Sequence, residues 1–521
     1  MTKFDPIELE LFKNIFISIS EEMGAVLGRT SLSPNIKERR DFSCALFNQK
    51  GETFGQGSHI PVHLGAMPLS VQAAFKACSF EEDDLVVLND PYRGGTHLPD
   101  ITCILPVFID KKLAFFVANR AHHSDVGGMT PGSMPLATEI YQEGLIIPPL
   151  KLIQKGKLER DILNLILANV RTPEERKGDL MAQMAANQKG KQRLEEVVKK
   201  YGLKKIQRYT DLIQLYTEKI LRETIREIPD GEYVFTDYLD DDGIVNESIN
   251  ISVRLQIKDD EAFIDFSSSS PQVEGSVNAN FAVTYSAVLY VFRSLIEEDI
   301  PFNTGLMKPL KIKAFPGSVV NARYPAATAG GNVETSQRIV DVLLGALSQA
   351  IPEKIPAASS GTMNNIAFGG YDPAKKTTFA YYETIGGGMG ASADLPGLSG
   401  VHTHMTNSLN TPLEALENYL PLKIRKYCLR RGSGGRGKNK GGDGIVREYE
   451  FIVPTHVSII SERRKFSPYG VLGGKQGTKG KNILYSRGKK IILNSKVNIK
   501  VNPGDILRIE TPGGGGYGQK K

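Results

Sequence analysis

The chain has 521 residues, 40% of them hydrophobic and 23% charged, which is ordinary for a globular protein of two to four domains. Its four cysteines are widely spaced and contain no CxxC pair, which argues against a disulfide framework or a cysteine zinc site and suits a reducing cytosol. No run of about 18 apolar residues and no signal-peptide pattern occurs, so we expect a cytoplasmic protein with no membrane partner.

The two ends of the chain differ in charge. Residues 421–521 hold 23 Lys or Arg against 6 Asp or Glu, a net charge of +17, whereas residues 1–420 carry about −11. A basic segment of this kind is typical of nucleic-acid binding. However, apolar and polar residues alternate along 444–453 and 489–501, as in half-buried strands with lysines towards water. We therefore expect no nucleic-acid partner.

Short elements of both kinds are predicted in the first 150 residues. Residues 1–30 have the spacing of an amphipathic helix, whose apolar residues recur every four positions: Ile7, Leu11, Ile15 and Ile19. Two strands are predicted around a turn within 41–55. A second hairpin is predicted from 101–108 and 112–119, which are separated by Asp110 and Lys111.

The later segments predict an α+β fold, with several β-rich sheet regions packed with helices and a helical insert at about 152–228. We expect the insert to form a bundle or an arm for domain or subunit packing. Strands are predicted to resume at 230–243 and 251–267, and helices at 286–298 and 336–351. The expected domains are 1–150 with the second hairpin, 151–228 helical, 229–420 α+β, and 421–521, a basic glycine-rich β domain.

Five of the eight histidines lie within 65 residues: His59, His63, His97, His122 and His123. His97 and Asp100 flank Leu-Pro, and the proline excludes a regular helix there. Pairing in the second hairpin places position 100 across from 121, 122 or 123. Two imidazoles and a carboxylate that meet there would suit Zn²⁺, Mn²⁺ or Fe²⁺.

Alternation along a strand directs His122 and His123 to opposite faces, so only one of them is expected to share a metal with Asp100. The sequence does not distinguish them, and both are candidate ligands. Asp125 is a candidate base or orienting group. The segment that holds His59 and His63 is a further possible source of ligands. Ordinary packing is the alternative for any single histidine.

A second histidine pair, His402 and His404, is predicted to share one face of an extended segment. The pattern suits metal ligands or buried hydrogen-bonding histidines equally well, and His404 is a candidate catalytic residue.

Glycine-rich segments resemble phosphate loops but fail the pattern. GSGGRGKN (432–439) has Asn439 where a hydroxyl residue is required, and a strand is predicted after it where a helix is needed. IGGGMGA (385–391) and PGGGGYG (512–518) lack the strand–helix frame of a dinucleotide site. Close backbone approach is the better interpretation of these segments.

Many blocks in the same order resemble the hydantoinase B/oxoprolinase family. They extend over almost the full length and include ERRDFSCALF (38–47), NDPYRGGTHLPDI (89–101), RAHHSDVGGMTPGSMP (120–135), GGNVETSQRIVDVLLGAL (330–347) and SERRKFSPYGVLGG (461–474). The resemblance implies a divalent-metal B-type subunit that works with an A-type ATPase subunit using ATP and Mg²⁺, as a hetero-oligomer. It maps the metal ligands onto His97, Asp100 and His122 or His123.

The expected activity is that of an ATP-dependent amidohydrolase, which opens a hydantoin- or 5-oxoproline-like cyclic amide after its partner has phosphorylated it. Asp125 or a spare imidazole, such as that of His404, would transfer protons. One alternative within the family is the metal subunit of an acetone-type ketone carboxylase. A non-catalytic scaffold is the alternative from another class.

Overall fold

A computed structural model describes residues 5–57 and 59–519. Its first part is a seven-stranded antiparallel sheet with strand order β2-β1-β5-β4-β3-β6-β7. The strands are β1 (Phe42–Asn48), β2 (Thr53–Gln56), β3 (Leu85–Leu88), β4 (Asp100–Ile109), β5 (Lys112–His122), β6 (Leu150–Gln154) and β7 (Lys157–Leu158). The helices of this part are α1 (Pro6–Thr30), α2 (Pro34–Lys37) and α3 (Ala66–Ala77). Helix α1 packs on one face of the sheet and α3 on the other.

The first helix forms as predicted, but its buried stripe is different. Asp5 caps its N-terminus and Pro6 occupies its first turn, where a proline needs no hydrogen-bond partner. The residues that pack on the sheet are Leu9, Phe12, Phe16, Ile19, Met23 and Leu27. Ile7 and Leu11 are exposed, because the two phenylalanines bury more apolar area on the neighbouring face.

The predicted hairpin is confirmed as β4 and β5. Asp110 and Lys111 both have positive φ, as a two-residue turn of this hand requires. The strands pair in antiparallel register, with Asp100 opposite His122. The hairpin therefore brings the two ends of the histidine-rich segment together.

The three helical patterns are confirmed as α4 (Arg160–Ala168), α5 (Pro173–Tyr201) and α6 (Leu203–Arg226). Of these helices, α5 lies across the first sheet beside α1 and packs in the same core. Its buried Gln183 and Asn187 donate to the backbone carbonyls of Ile101 and Cys103 in β4. None of the helices in the described residues is long and apolar enough to cross a bilayer.

The predicted central strands and helices are also present. A second sheet has the order β11-β10-β9-β8, and α7 and α8 bury their apolar faces with it. These elements are β8 (Gly231–Leu239), β9 (Ile249–Lys258), β10 (Glu261–Asp265), α7 (Phe281–Ser294), β11 (Leu310–Lys313) and α8 (Ser336–Ala350). A short π-helical turn, Gly331–Thr335, leads into α8.

Two further sheets complete the fold, with orders β13-β12-β16-β19 and β14-β15-β20-β17-β18. Their elements are β12 (Asn365–Asp372), β13 (Thr377–Glu383), α9 (Leu413–Tyr419), β14 (Leu422–Arg430), β15 (Gly444–Phe451), β16 (Thr455–Ile460), β17 (Lys481–Ser486), β18 (Lys489–Leu493), β19 (Lys496–Val501) and β20 (Ile506–Glu510). Strands from both sides of residue 420 pair in the first of these sheets, so the boundary predicted there does not separate two sheets.

The glycine-rich segments lie side by side, as expected from their composition. Gly514 donates to the Gly442 carbonyl at 2.9 Å, and Gly442 donates to the Met389 carbonyl at 2.8 Å. A Cβ atom at Gly514 would lie 2.0 Å from the Met389 oxygen, so only glycine fits there. Strand β15 follows the 432–439 segment, so no helix N-terminus faces a phosphate there.

Candidate metal centre

Three predicted ligands meet at the open end of the hairpin. Asp100 begins β4, His122 ends β5, and His97 lies in the turn that enters β4. Asp100 Oδ1 lies 3.3 Å from His97 Nε2 and 3.2 Å from His122 Nδ1, and these two nitrogens are 3.2 Å apart. All three side chains are buried. Among the described residues, they form a group of His and Asp ligand atoms close enough to hold one ion.

The geometry fits a small divalent cation. Ligands that share an ion at about 2.1 Å lie roughly 3.0 Å apart in octahedral and roughly 3.4 Å apart in tetrahedral coordination. The observed distances between the three ligand atoms, 3.2–3.3 Å, fall between these values. Two neutral imidazoles and a carboxylate suit Zn²⁺, Mn²⁺ or Fe²⁺.

Electrostatics keep the carboxylate ionised. Burial by itself would raise the pKa of Asp100, but the imidazoles of His97 and His63 outweigh it and hold that pKa well below its usual value. Burial also opposes protonation of His97, yet the Asp100 charge dominates and raises the His97 pKa. His122 has a lowered pKa, chiefly because it is buried. The anionic oxygen and the His122 imidazole are therefore in the states that metal ligation needs.

His63, which the sequence left open, faces the other oxygen of the same carboxylate. His63 Nε2 lies 3.3 Å from Asp100 Oδ2, and its Nδ1 lies 3.0 Å from Ser43 Oγ. The short turn Pro61–His63 directs the ring inwards. His59 is not part of this group: its Nδ1 accepts from the Cys44 backbone N–H at 3.2 Å.

Hydrogen bonds behind the ligands hold the His97 ring in place. His97 Nδ1 lies 3.4 Å from the Ala329 carbonyl, which favours the tautomer that leaves Nε2 free for a metal. Glu143 accepts from the backbone N–H groups of Thr328 and Ala329, both at 2.8 Å. Burial raises the pKa of Glu143 to about 7. The sequence pattern had not indicated Glu143.

A chain of contacts connects the GGNVETSQ segment (330–337) to His122. Glu334 accepts from Asn365 at 2.6 Å, and Asn365 accepts from the Tyr382 hydroxyl at 2.6 Å. The Tyr382 ring stacks on His122, with centroids 4.4 Å apart and planes at 22°. These residues fix the His122 ring from the side opposite its backbone neighbours.

A cavity of about 20 Å³ adjoins the cluster. Its lining includes Asp100, His122, His63, Asp41 and Tyr382. This volume holds about one water molecule. An open coordination position beside buried ligands is the arrangement found in catalytic metal sites, whereas structural sites are closed.

The structure places His123 outside the cluster. Its Nε2 lies 2.9 Å from Gln183 Oε1, among polar side chains of α5 on the opposite face of the hairpin. Alternation along the strand therefore places His122, and not His123, with His97 and Asp100. Burial lowers the pKa of His123 to about 4.

Asp125 is likewise engaged elsewhere. Its two oxygens accept from the backbone N–H groups of Gly127, Gly132 and Arg171 at 3.0–3.1 Å, and from the Arg171 guanidinium at 2.8 Å. Four donors occupy this buried carboxylate, which leaves it unsuited to the proton transfer expected from the sequence. The arrangement is that of a loop-stabilising carboxylate.

His402 and His404 do not share a face of an extended segment, because His404 has a φ of +59°. His404 Nδ1 lies 3.4 Å from the Tyr290 hydroxyl, and burial lowers the pKa of each histidine to about 4. The two residues that follow His404, Met405 and Thr406, line the 20 Å³ cavity. His404 therefore lies behind the cavity wall and outside the ligand group.

Comparison with known proteins identifies relatives over the whole chain. The family model described as hydantoinase B/oxoprolinase matches residues 5–520. The chain is 43% identical to an uncharacterised protein of Methanocaldococcus jannaschii, over 99% of this chain and 91% of that one. It is 42% identical to 5-oxoprolinase 1 of Arabidopsis thaliana, over 99% of this chain. It spans only 42% of that enzyme's length.

Among solved structures, the ATP-dependent caprolactamase of Pseudomonas jessenii superposes with a TM-score of 0.92 at 28% identity. The match covers 99% of this chain and 92% of the caprolactamase chain. The arrangement of helices and sheets described above is thus the one found in that enzyme. Family model, relatives and fold agree, and the chain belongs to the hydantoinase B/oxoprolinase family.

Proposed function

We propose that this chain is the metal-containing B-type subunit of an ATP-dependent amidohydrolase that opens a hydantoin- or 5-oxoproline-like cyclic amide. The observation that carries the proposal is the buried His97–Asp100–His122 group with a cavity beside it. The family supports the reaction class, since a 5-oxoprolinase and a caprolactamase, named for cyclic amide substrates, are among the relatives.

His97 Nε2, Asp100 Oδ1 and His122 Nδ1 would hold the metal. A divalent Zn, Mn or Fe ion there supplies a Lewis acid and lowers the pKa of bound water. His63 faces the same cavity, and we assign it the role of holding a proton at Nε2, with Ser43 fixing its ring. The apolar and aromatic lining excludes bulk water, which strengthens each electrostatic contact in the site.

We assign the ATP-dependent step to an A-type partner subunit that uses ATP and Mg²⁺. The chain spans 42% of the length of the Arabidopsis 5-oxoprolinase. The glycine-rich segments serve backbone packing in this fold, which supports placing nucleotide binding outside the chain. A hetero-oligomer of the two subunits follows from this assignment.

The test is coupled turnover by the reconstituted pair. The full chain, its A-type partner and ATP are mixed with hydantoin, N-methylhydantoin, 5-oxoproline, or acetone with bicarbonate, and ADP and ring-opened product are measured. We expect ADP release coupled to opening of one cyclic amide. We expect His122→Ala to abolish it and His456→Ala, at an exposed histidine of β16, to leave it unchanged.

Two results would contradict the proposal. ADP release only with acetone and bicarbonate would assign the chain to a ketone carboxylase. A wild-type pair that assembles stably but turns over none of the four compounds would favour a scaffold.

A further inference from the structure

A second cavity, of about 470 Å³, lies next to the metal centre and has a basic lining. Arg29 at the end of α1, Lys37 in α2 and Arg40 before β1 all contribute to it. Glu21 is the one carboxylate in its lining, and His59 has a pKa lowered chiefly by burial. At neutral pH the lining therefore carries a net charge of about +2.

Within residues 5–57 and 59–519, the three cations have no partner: no ion pair or side-chain hydrogen bond satisfies Arg29, Lys37 or Arg40, and all three are exposed. The neighbouring Arg39 behaves differently, since it is buried and donates to the Tyr382 carbonyl at 2.9 Å. Unpaired cations that converge on one cavity attract an anion into it.

The two cavities are lined by residues adjacent in sequence at three places. Within segments 40–42, 59–60 and 406–407, neighbouring residues line different cavities. Asp41, Ile60 and Thr406 line the small cavity at the metal centre, whereas Arg40, Phe42, His59 and Asn407 line the basic one. A molecule held in the basic cavity therefore lies directly against the residues that surround the ligand group.

Arg40 is held in an unfavourable backbone conformation, with a φ of +54°. This left-handed region costs a residue other than glycine free energy and is concentrated at functional sites. The conformation turns Arg40 outwards to the basic cavity while Arg39 and Asp41 are buried. A glycine would adopt the same backbone conformation without strain. The presence of an arginine despite this strain indicates that its side chain has a role at this position.

We propose that Arg29, Lys37 and Arg40 form a binding site for an oxyanion group, a carboxylate or a phosphoryl group. This inference goes beyond the proposed function, because the site lies in a cavity separate from the one that adjoins the ligand group. Guanidinium groups bind such oxyanions through paired, charge-assisted hydrogen bonds. The basic cavity thus holds an anion on the outer side of the residues that surround the ligand group.

The test is equilibrium binding to the full chain by isothermal titration calorimetry at low ionic strength. The probes are 5-oxoproline, its neutral primary amide and inorganic phosphate. We expect the wild type to prefer 5-oxoproline over the neutral amide by about tenfold or more, and added salt to weaken that preference. We expect Arg40→Gly to reduce it about tenfold.

Arg487→Gly is the matched control, since Arg487 is also exposed, unpaired and at a positive φ of +50°, but lies in the β17–β18 turn. If the wild type binds phosphate but not 5-oxoproline, and Arg40→Gly weakens the phosphate binding, the result would support the site. It would then assign the bound anion to a phosphoryl group. Equal binding by Arg40→Gly and Arg487→Gly, or no anion binding by the wild type, would overturn the proposal. Because the assay needs neither partner nor ATP, its failure is distinct from failure of the coupled reaction.

Discussion

Replacement of Asp125 by alanine distinguishes a structural carboxylate from a catalytic one. The change removes the acceptor for three backbone N–H groups and leaves the Arg171 guanidinium without its counter-charge. Breaking one buried ion pair costs about 3–5 kcal/mol, which includes the unsatisfied donors it leaves. For a cooperative unit of 150–250 residues, this corresponds to a Tm lower by roughly 6–20 °C.

Thermal unfolding followed by circular dichroism measures the effect, with Asp394→Ala at an exposed loop position as the control. The control is expected to change the free energy of unfolding by less than about 0.5 kcal/mol. We expect folded Asp125→Ala to retain its metal. A Tm within about 2 °C of wild type, together with a hundredfold or greater loss of turnover, would show that the carboxylate acts in the reaction.

Three further changes probe the surroundings of the ligands. Glu334 has a pKa raised to about 8 by burial, so wild-type stability should fall as pH rises from about 4.5 to 8, by up to about 1.4 kcal/mol per unit. Glu334→Gln should lose this pH dependence of the free energy of unfolding, as measured by urea unfolding. Parallel pH profiles of the variant and the wild type would contradict this prediction. His123→Ala should lower stability by about 1–3 kcal/mol, because Gln183 loses its partner, but should keep the metal; metal loss in this variant would contradict the geometry. Tyr382→Leu should weaken metal binding about 10–100-fold, as measured by chelator competition. Tyr382→Phe keeps the ring over His122 and should bind metal like the wild type. Equal losses of affinity in both variants would implicate the hydroxyl instead.

Local pattern predicted the residues at the centre of the candidate site, with the choice between His122 and His123 left open. Two strands of known length joined at Asp110 and Lys111 leave few possible registers, and the pairing of Asp100 with His122 was among those predicted. Strand alternation then separated His122 from His123. Both arguments depend only on residues close in sequence, where backbone geometry restricts the outcome.

The remaining residues of the site depend on long-range packing. Glu143, Glu334 and Tyr382 lie around the ligands but belong to segments up to about 280 residues away in sequence. The periodicity of a sequence does not show which strand ends meet across different sheets. The buried stripe of α1 was missed for a related reason, since the facing sheet accepts Phe12 and Phe16 in preference to Ile7. Asp125 illustrates the converse case, since it lies close in sequence to two histidines but its carboxylate accepts from Gly127, Gly132 and Arg171.

Metal content of the full chain tests the central claim most directly. Wild type, His97→Ala, Asp100→Ala, His122→Ala and the exposed control His456→Ala are loaded with Zn²⁺, Mn²⁺ or Fe²⁺, dialysed and measured by inductively coupled plasma mass spectrometry. We predict about one ion per chain in wild type and control, and less than about a tenth of that in the other three, with circular dichroism spectra unchanged. Stoichiometric metal in the three variants, or none in wild type, would contradict the account.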